Sequence, residues 1–136
     1  MTIRRIAALL FAIISFGVVA FQLALAAGVP WGAYAMGGAY PGQFPPELRI
    51  AAVVQAAAII GLALIVLARA DLLLPKWSRV SRWLVWIAVA FSVVSLVLNL
   101  LTPNATERAI WAPVAFLMLI SSGFVALTNS SKPLAQ

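Results

Sequence analysis

The chain has 136 residues, of which 65% are hydrophobic and 9% charged, with a net charge of +6 and a mean hydropathy of +1.10. A soluble domain carries roughly a quarter of its residues as charges, so this composition excludes an ordinary soluble protein and points to a single integral membrane domain. With no Cys and no His, disulfides, thiol chemistry and the usual zinc, copper and haem ligands are excluded, no cofactor or metal is expected, and the commonest general base is missing.

The first apolar stretch runs from about Ile6 to Ala27 without a charge. "MTIRR" before it and "ALA" near its end resemble a signal peptide. The run is longer than the roughly 7 to 15 residues of a signal h-region, so it is read as a retained helix. Three further spans are expected at about 50–68, 83–101 and 109–128. Each is near the ~20 residues that carry a helix across a bilayer at about 1.5 Å per residue. Lipid offers no partner to free backbone groups, which makes helices the expected conformation. The link "TPNATE" (Thr102–Glu107) is too short for anything but antiparallel neighbours. The expected fold is therefore an all-α, four-helix transmembrane bundle, up-down-up-down, filling residues 1–136 as one domain.

The charges set the expected direction. Arg4, Arg5, Arg69, Lys76, Arg79, Arg82 and Lys132 fall on one side of the four spans, and only Arg49 and Arg108 on the other. Seven against two places both termini and the 2–3 loop in the cytoplasm, by the positive-inside rule. The same distribution explains the net charge as membrane orientation, and no nucleic acid partner is expected. Trp77, Trp83 and Trp86 at the inner boundary, with Trp31 and Trp111 near the outer one, suit headgroup anchors.

The outer loop, residues 28–49, is long for a connection in a compact bundle. It holds five of the eight glycines, four of the eight prolines and both tyrosines. Trp31, Tyr34, Met36, Tyr40 and Phe44 are spread through it, so it is expected to pack down on the bundle. Gly37 and Gly38 allow positive φ or close approach. No Lys follows in the spacing of a phosphate loop, so nucleotide binding is not expected. Pro45 and Pro46 suit the first turn of the second span, with Glu47 at its positive end. Asn104, with Glu107 three residues on, resembles a capping arrangement for the fourth span.

No span has a charge at its middle, which argues against an ion-coupled exporter. The span amides are Gln22, Gln55 and Asn99, all in the outer part of the bilayer, with Pro113 at similar depth. Two readings compete. The amides are interhelical hydrogen bonds, worth roughly 0.6 kcal/mol each, or they line an outward-open pocket with the 28–49 segment as its lid. Ser15, Ser92, Ser95, Ser121 and Ser122 are expected to bond to their own backbone or to aid packing. Glu47 and Glu107, with Arg49 and Arg108, are read as helix-start acids and interfacial bases that pair across the bundle. Recognition of an anionic headgroup by the arginines is a second reading, and acid-base chemistry by the two glutamates a third. Ala57 with Gly61, and Ala20 with Ala24, form small-xxx-small pairs, expected to serve packing within the chain; a homo-oligomer is the other use.

The pattern "PWGAYAMGG…PG…P..LR" with the later "NLLTPNATERAIWAPV" resembles uncharacterised small bacterial four-span integral membrane proteins. The resemblance implies four helices and a multi-pass protein of the bacterial plasma (inner) membrane. It implies no activity and no site residues. The leading functional expectation is non-enzymatic: binding of a lipid or other amphiphile, or a partner, at the outer face. Candidate ligand-binding residues are Gln22, Trp31, Tyr34, Gly37, Gly38, Arg49, Gln55 and Asn99. The alternatives are a small transporter or channel-like unit acting as an oligomer and, third, a lipid-headgroup enzyme using Glu47 or Glu107.

Overall fold

The computed structural model describes residues 2–128; Lys132 of the charge argument lies outside them. Four helices run antiparallel in sequence: α1 (Ile3–Ala26), α2 (Pro46–Arg69), α3 (Ser78–Leu101) and α4 (Ala105–Leu127). All four are long and apolar enough to cross a membrane. The chain is an all-α, multi-pass bundle.

Each helix begins where local chemistry permits. Thr2 caps α1 by accepting the Arg5 N–H at 3.2 Å. Pro46 opens α2, where its missing N–H is no loss, and Glu47 sits at the positive end of the helix dipole. Asn104 caps α4 by accepting the Glu107 N–H at 3.1 Å. The helices start about four residues ahead of the apolar spans for α2 and α4, and five ahead for α3. Hydropathy stops at Arg49, Arg82 and Arg108, but backbone hydrogen bonding continues through these residues into the headgroup level.

The helices form a ring. α1 packs most closely on α2 and α3 on α4; α1–α4 and α2–α3 contacts close it, with little contact across the diagonal. Along the helices the outside is predominantly apolar: Ile13 is 69% exposed, Phe16 75% and Trp83 69%. So large an apolar surface needs a bilayer around it. Ala57 is exposed, and a Cβ on Gly61 would meet nothing within 4 Å. The Ala57/Gly61 pair therefore faces outward and does not bring two helices of this chain together, contrary to the expectation of internal packing.

The two ends differ. At the end bearing the N-terminus, Phe11, Val66, Val85 and Val125 are fully buried in a continuous core with Ala8, Leu62, Ala88 and Met118. Nearby, Arg4 donates from Nη2 to the Arg69 carbonyl at 2.8 Å, and Asp71 interacts electrostatically with both arginines. At the other end, Phe44 of the α1–α2 segment inserts beside Leu25 and Ala52. That segment includes two short 3₁₀ turns, Gly32–Tyr34 and Met36–Gly38.

Candidate functional site

The segment between α1 and α2 forms a roof over one end of the bundle. Its fold depends on close backbone approach. The Gly32 N–H donates to the Gly42 carbonyl at 2.9 Å, and a Cβ on Gly32 would lie 1.9 Å from the Tyr40 carbonyl oxygen. No other residue fits there. Met36, Gly37 and Gly38 follow one another with φ of 51°, 68° and 76°. Three successive left-handed residues turn the chain so that the Gly37 N–H points down at α4.

The first turns of α4 hold that roof. Glu107 Oε2 accepts the Gly37 N–H at 2.8 Å. Asn104 Nδ2 donates to the Ala33 carbonyl at 2.8 Å, and Trp111 Nε1 to the Tyr34 carbonyl at 2.7 Å. Half of the anticipated capping box is thus present: Asn104 caps the helix, but the Glu107 side chain is turned to the roof. On the α1 side, Trp31 stacks nearly parallel to Phe21 at 6.2 Å, and Phe21 meets Trp111 at 4.6 Å and 58°. At the base, Arg49 Nε donates to the Phe44 carbonyl at 2.8 Å, and its guanidinium crosses Gly28, whose φ is +98°.

Beneath the roof is a cavity of about 650 Å³. Its volume falls within the roughly 300–1,000 Å³ usual for small-molecule sites. Gln22 from α1, Gln55 from α2 and Asn99 from α3 all line it, with Tyr34 and Gly37 in the roof. Asn99 Nδ2 donates to the Ser95 carbonyl of its own helix at 2.7 Å. Gln22 and Gln55 bond to no protein group among the described residues, so none of the three amides makes an interhelical hydrogen bond there. Trp31, Gly38 and Arg49 do not line the cavity. They hold the segment: Trp31 through its stack, Arg49 through Phe44, and Gly38 by lying so close to Asn104 that a Cβ would be 2.8 Å from Nδ2.

The cavity opens sideways. Its α1 and α4 walls include buried Leu25, Glu107, Ala115 and Met118, whereas Ala51, Gln55, Leu98 and Leu101 on α2 and α3 are exposed. Leu98 is 62% exposed and Leu101 74%. The cavity is therefore open to the outside where these α2 and α3 residues line it. The far half has a continuous core around Phe11 and Val85, and a smaller apolar pocket of about 270 Å³ between α2, α3 and the loop joining them. Ser92, Ser121 and Ser122 are buried and donate to their own helices, as serines in such spans do. Pro113 is on the exposed side of α4, away from the cavity.

The chain matches no protein-family model, no curated protein and no solved structure. The bacterial four-span likeness therefore rests on the quoted sequence pattern alone.

The four charged residues at this end separate rather than pair. Glu47 is exposed and outside the cavity; Glu107 is buried in its wall. Arg108 donates to the Thr102 carbonyl at 3.0 Å and Arg49 to Phe44, and neither forms an ion pair with Glu47 or Glu107 among the described residues. Two acids sharing one cleft, as acid-base chemistry needs, are not brought together. Nor do three His, Cys, Asp or Glu side chains meet among the described residues to hold a metal. Glu107, Trp111, Phe21, Thr102 and Asn104 were not among the sequence-derived site residues. The signals for them were the Asn104/Glu107 capping pattern, the reading of Glu107 as an acid of a headgroup enzyme, and the placing of Trp111 as an outer headgroup anchor.

Proposed function

We propose that this is a non-enzymatic membrane protein that binds a lipid or other amphiphile in the roofed cavity, entered sideways between α2 and α3. The observation that carries the reading is the convergence of Gln22, Gln55 and Asn99 on one cavity. Two of these amides lack a protein partner among the described residues. Hydrogen-bonding groups near the roof and apolar walls below, including Val18, Ile59, Phe91 and Met118, match a molecule with a polar head and an apolar tail. The charge bias of seven to two supports a roof that faces outward from a bacterial plasma membrane, with both termini cytoplasmic. An oligomeric transporter would need a polar path through the other half. The buried core around Phe11 and Val85 gives a single chain no such path among the described residues.

The test is native mass spectrometry of the protein released from nanodiscs made with its own membrane lipids. The expected result is one retained amphiphile per chain, with retention falling roughly tenfold in the Gln22→Leu/Gln55→Leu double variant through loss of about 1.4 kcal/mol of polar contact. Equal retention by both proteins, or none by either, contradicts the proposal.

A further inference from the structure

We infer that the amphiphile carries a cationic head, held between the Glu107 carboxylate and the aromatic side chains beside it. The inference rests on the binding role proposed for the cavity and adds the class of head it takes.

Among the described residues, Glu107 is the one Asp, Glu, Lys or Arg in the cavity wall. It is only 7% exposed. Its Oε2 accepts the Gly37 N–H at 2.8 Å and the Thr102 hydroxyl at 3.4 Å, while Oε1 accepts no hydrogen bond among the described residues. A carboxylate removed from water needs a counter-charge as well as hydrogen bonds. The nearby bases form no ion pair with it among the described residues: Arg108 and Arg49 donate to backbone carbonyls instead. The α4 N-terminus adds only about half a positive charge. A cation in the cavity would supply that counter-charge.

The rings complete the chemistry. Trp111 lies four residues after Glu107, so both project from the same face of α4. Tyr34 and Phe21 line the cavity with them. An ammonium group held by a carboxylate and flanked by aromatic faces gains both Coulomb and cation–π attraction. An anionic head would meet the carboxylate as a like charge. From Glu107 to Met118 the α4 wall descends 11 residues, about 16 Å at 1.5 Å per residue. Val114, Ala115 and Met118 line this descent, which gives room for an apolar tail below the head.

The experiment compares dodecyltrimethylammonium, dodecanol and dodecanoate, which share a chain length and differ in head charge. Each is offered to the protein in nanodiscs and its retention is measured by native mass spectrometry, with empty nanodiscs correcting for partition. The expected result is a preference of roughly tenfold or more for dodecyltrimethylammonium. Glu107→Gln should abolish that preference. The charge series on the unaltered protein decides the question even if the variant does not fold. Equal retention of all three probes, or preference for dodecanoate, overturns the cationic head while leaving the cavity reading in place. Retention of none overturns both.

Discussion

The two halves of the bundle fill the space between their helices differently. In the half near the N-terminus, Ser92, Ser121 and Ser122 donate back to their own helices, and Phe11, Val66, Val85 and Val125 fill the space between helices. In the roofed half, Gln22 and Gln55 have no protein partner among the described residues, and a cavity of about 650 Å³ lies between two small core clusters, one of Val19, Ala56 and Ile59 and one of Leu25, Phe44 and Ala52. Polar groups inside a membrane are costly unless satisfied. The first half satisfies Ser92, Ser121 and Ser122 locally, while the Ser15 hydroxyl, Arg4 Nε and Nη1 and Arg69 Nε are buried there without a hydrogen-bond partner among the described residues. The second leaves amides open where a ligand or water can reach them, and spends its interhelical bonds on the roof.

Substitutions should separate the halves. The largest effect is expected for Gly32→Ala, whose Cβ would lie 1.9 Å from the Tyr40 carbonyl oxygen and 2.7 Å from that of Gly42. The roof should lose its fold at a cost of about 3 kcal/mol or more. Limited proteolysis should then cut between residues 28 and 45, while circular dichroism shows the four helices retained. Loss of the helices as well would mean that the halves are not separable.

Phe11→Ala tests the other half. Phe11 is fully buried. In water such a change costs roughly 3–5 kcal/mol; in a bilayer the transfer part is largely absent, because lipid is as apolar as the core, leaving about 2 kcal/mol of lost packing. Stability measured by steric trapping should fall by that amount, with amphiphile retention unchanged. Trp111→Phe keeps a ring against Phe21 but removes the bond to the Tyr34 carbonyl. The expected cost is about 1 kcal/mol, seen as faster hydrogen exchange at residues 34–38 and little change in α1 to α3.

The smallest stability effect should come from Gln22→Leu/Gln55→Leu. Unpaired amides contribute nothing to helix association, so the double variant should be within about 0.5 kcal/mol of the parent. Two interhelical hydrogen bonds would instead lose roughly 1.2 kcal/mol together. A loss of that size would restore the bundle-glue reading of the amides and weaken the contrast between the halves.

Much of the fold could be read from hydropathy, because a bilayer demands apolar runs of one length and admits little besides helices. The helix starts were less legible: Arg49, Arg79 and Arg82 end an apolar run without ending a helix. For the amides, topology gave depth. Spacing along one chain does not give the direction each side chain faces around a ring of four helices, so a shared cavity was one of two readings. Glu107 was hidden for a different reason. Its position predicts a cap, and its partner Gly37 lies 70 residues away. The left-handed run Met36–Gly38 that aims the Gly37 N–H has only its two glycines as a signal. In the sequence Trp31 reads as a headgroup anchor and Arg49 as an interfacial base or a headgroup-binding residue; in the structure Trp31 stacks on Phe21 and Arg49 bonds the Phe44 carbonyl, fastening the segment.

The central claim, a roofed half open to ligand and an opposite half with a continuous core, has a direct test because the chain has no Cys. Single Gln22→Cys, Gln55→Cys, Ser92→Cys and Ser122→Cys variants can be exposed in sealed membranes to a small uncharged thiol reagent. The account predicts rapid labelling at positions 22 and 55, slowed by a bound amphiphile, and labelling at 92 and 122 only after unfolding. Labelling at 92 and 122 as fast as at 22 and 55, or protection of all four, would contradict it.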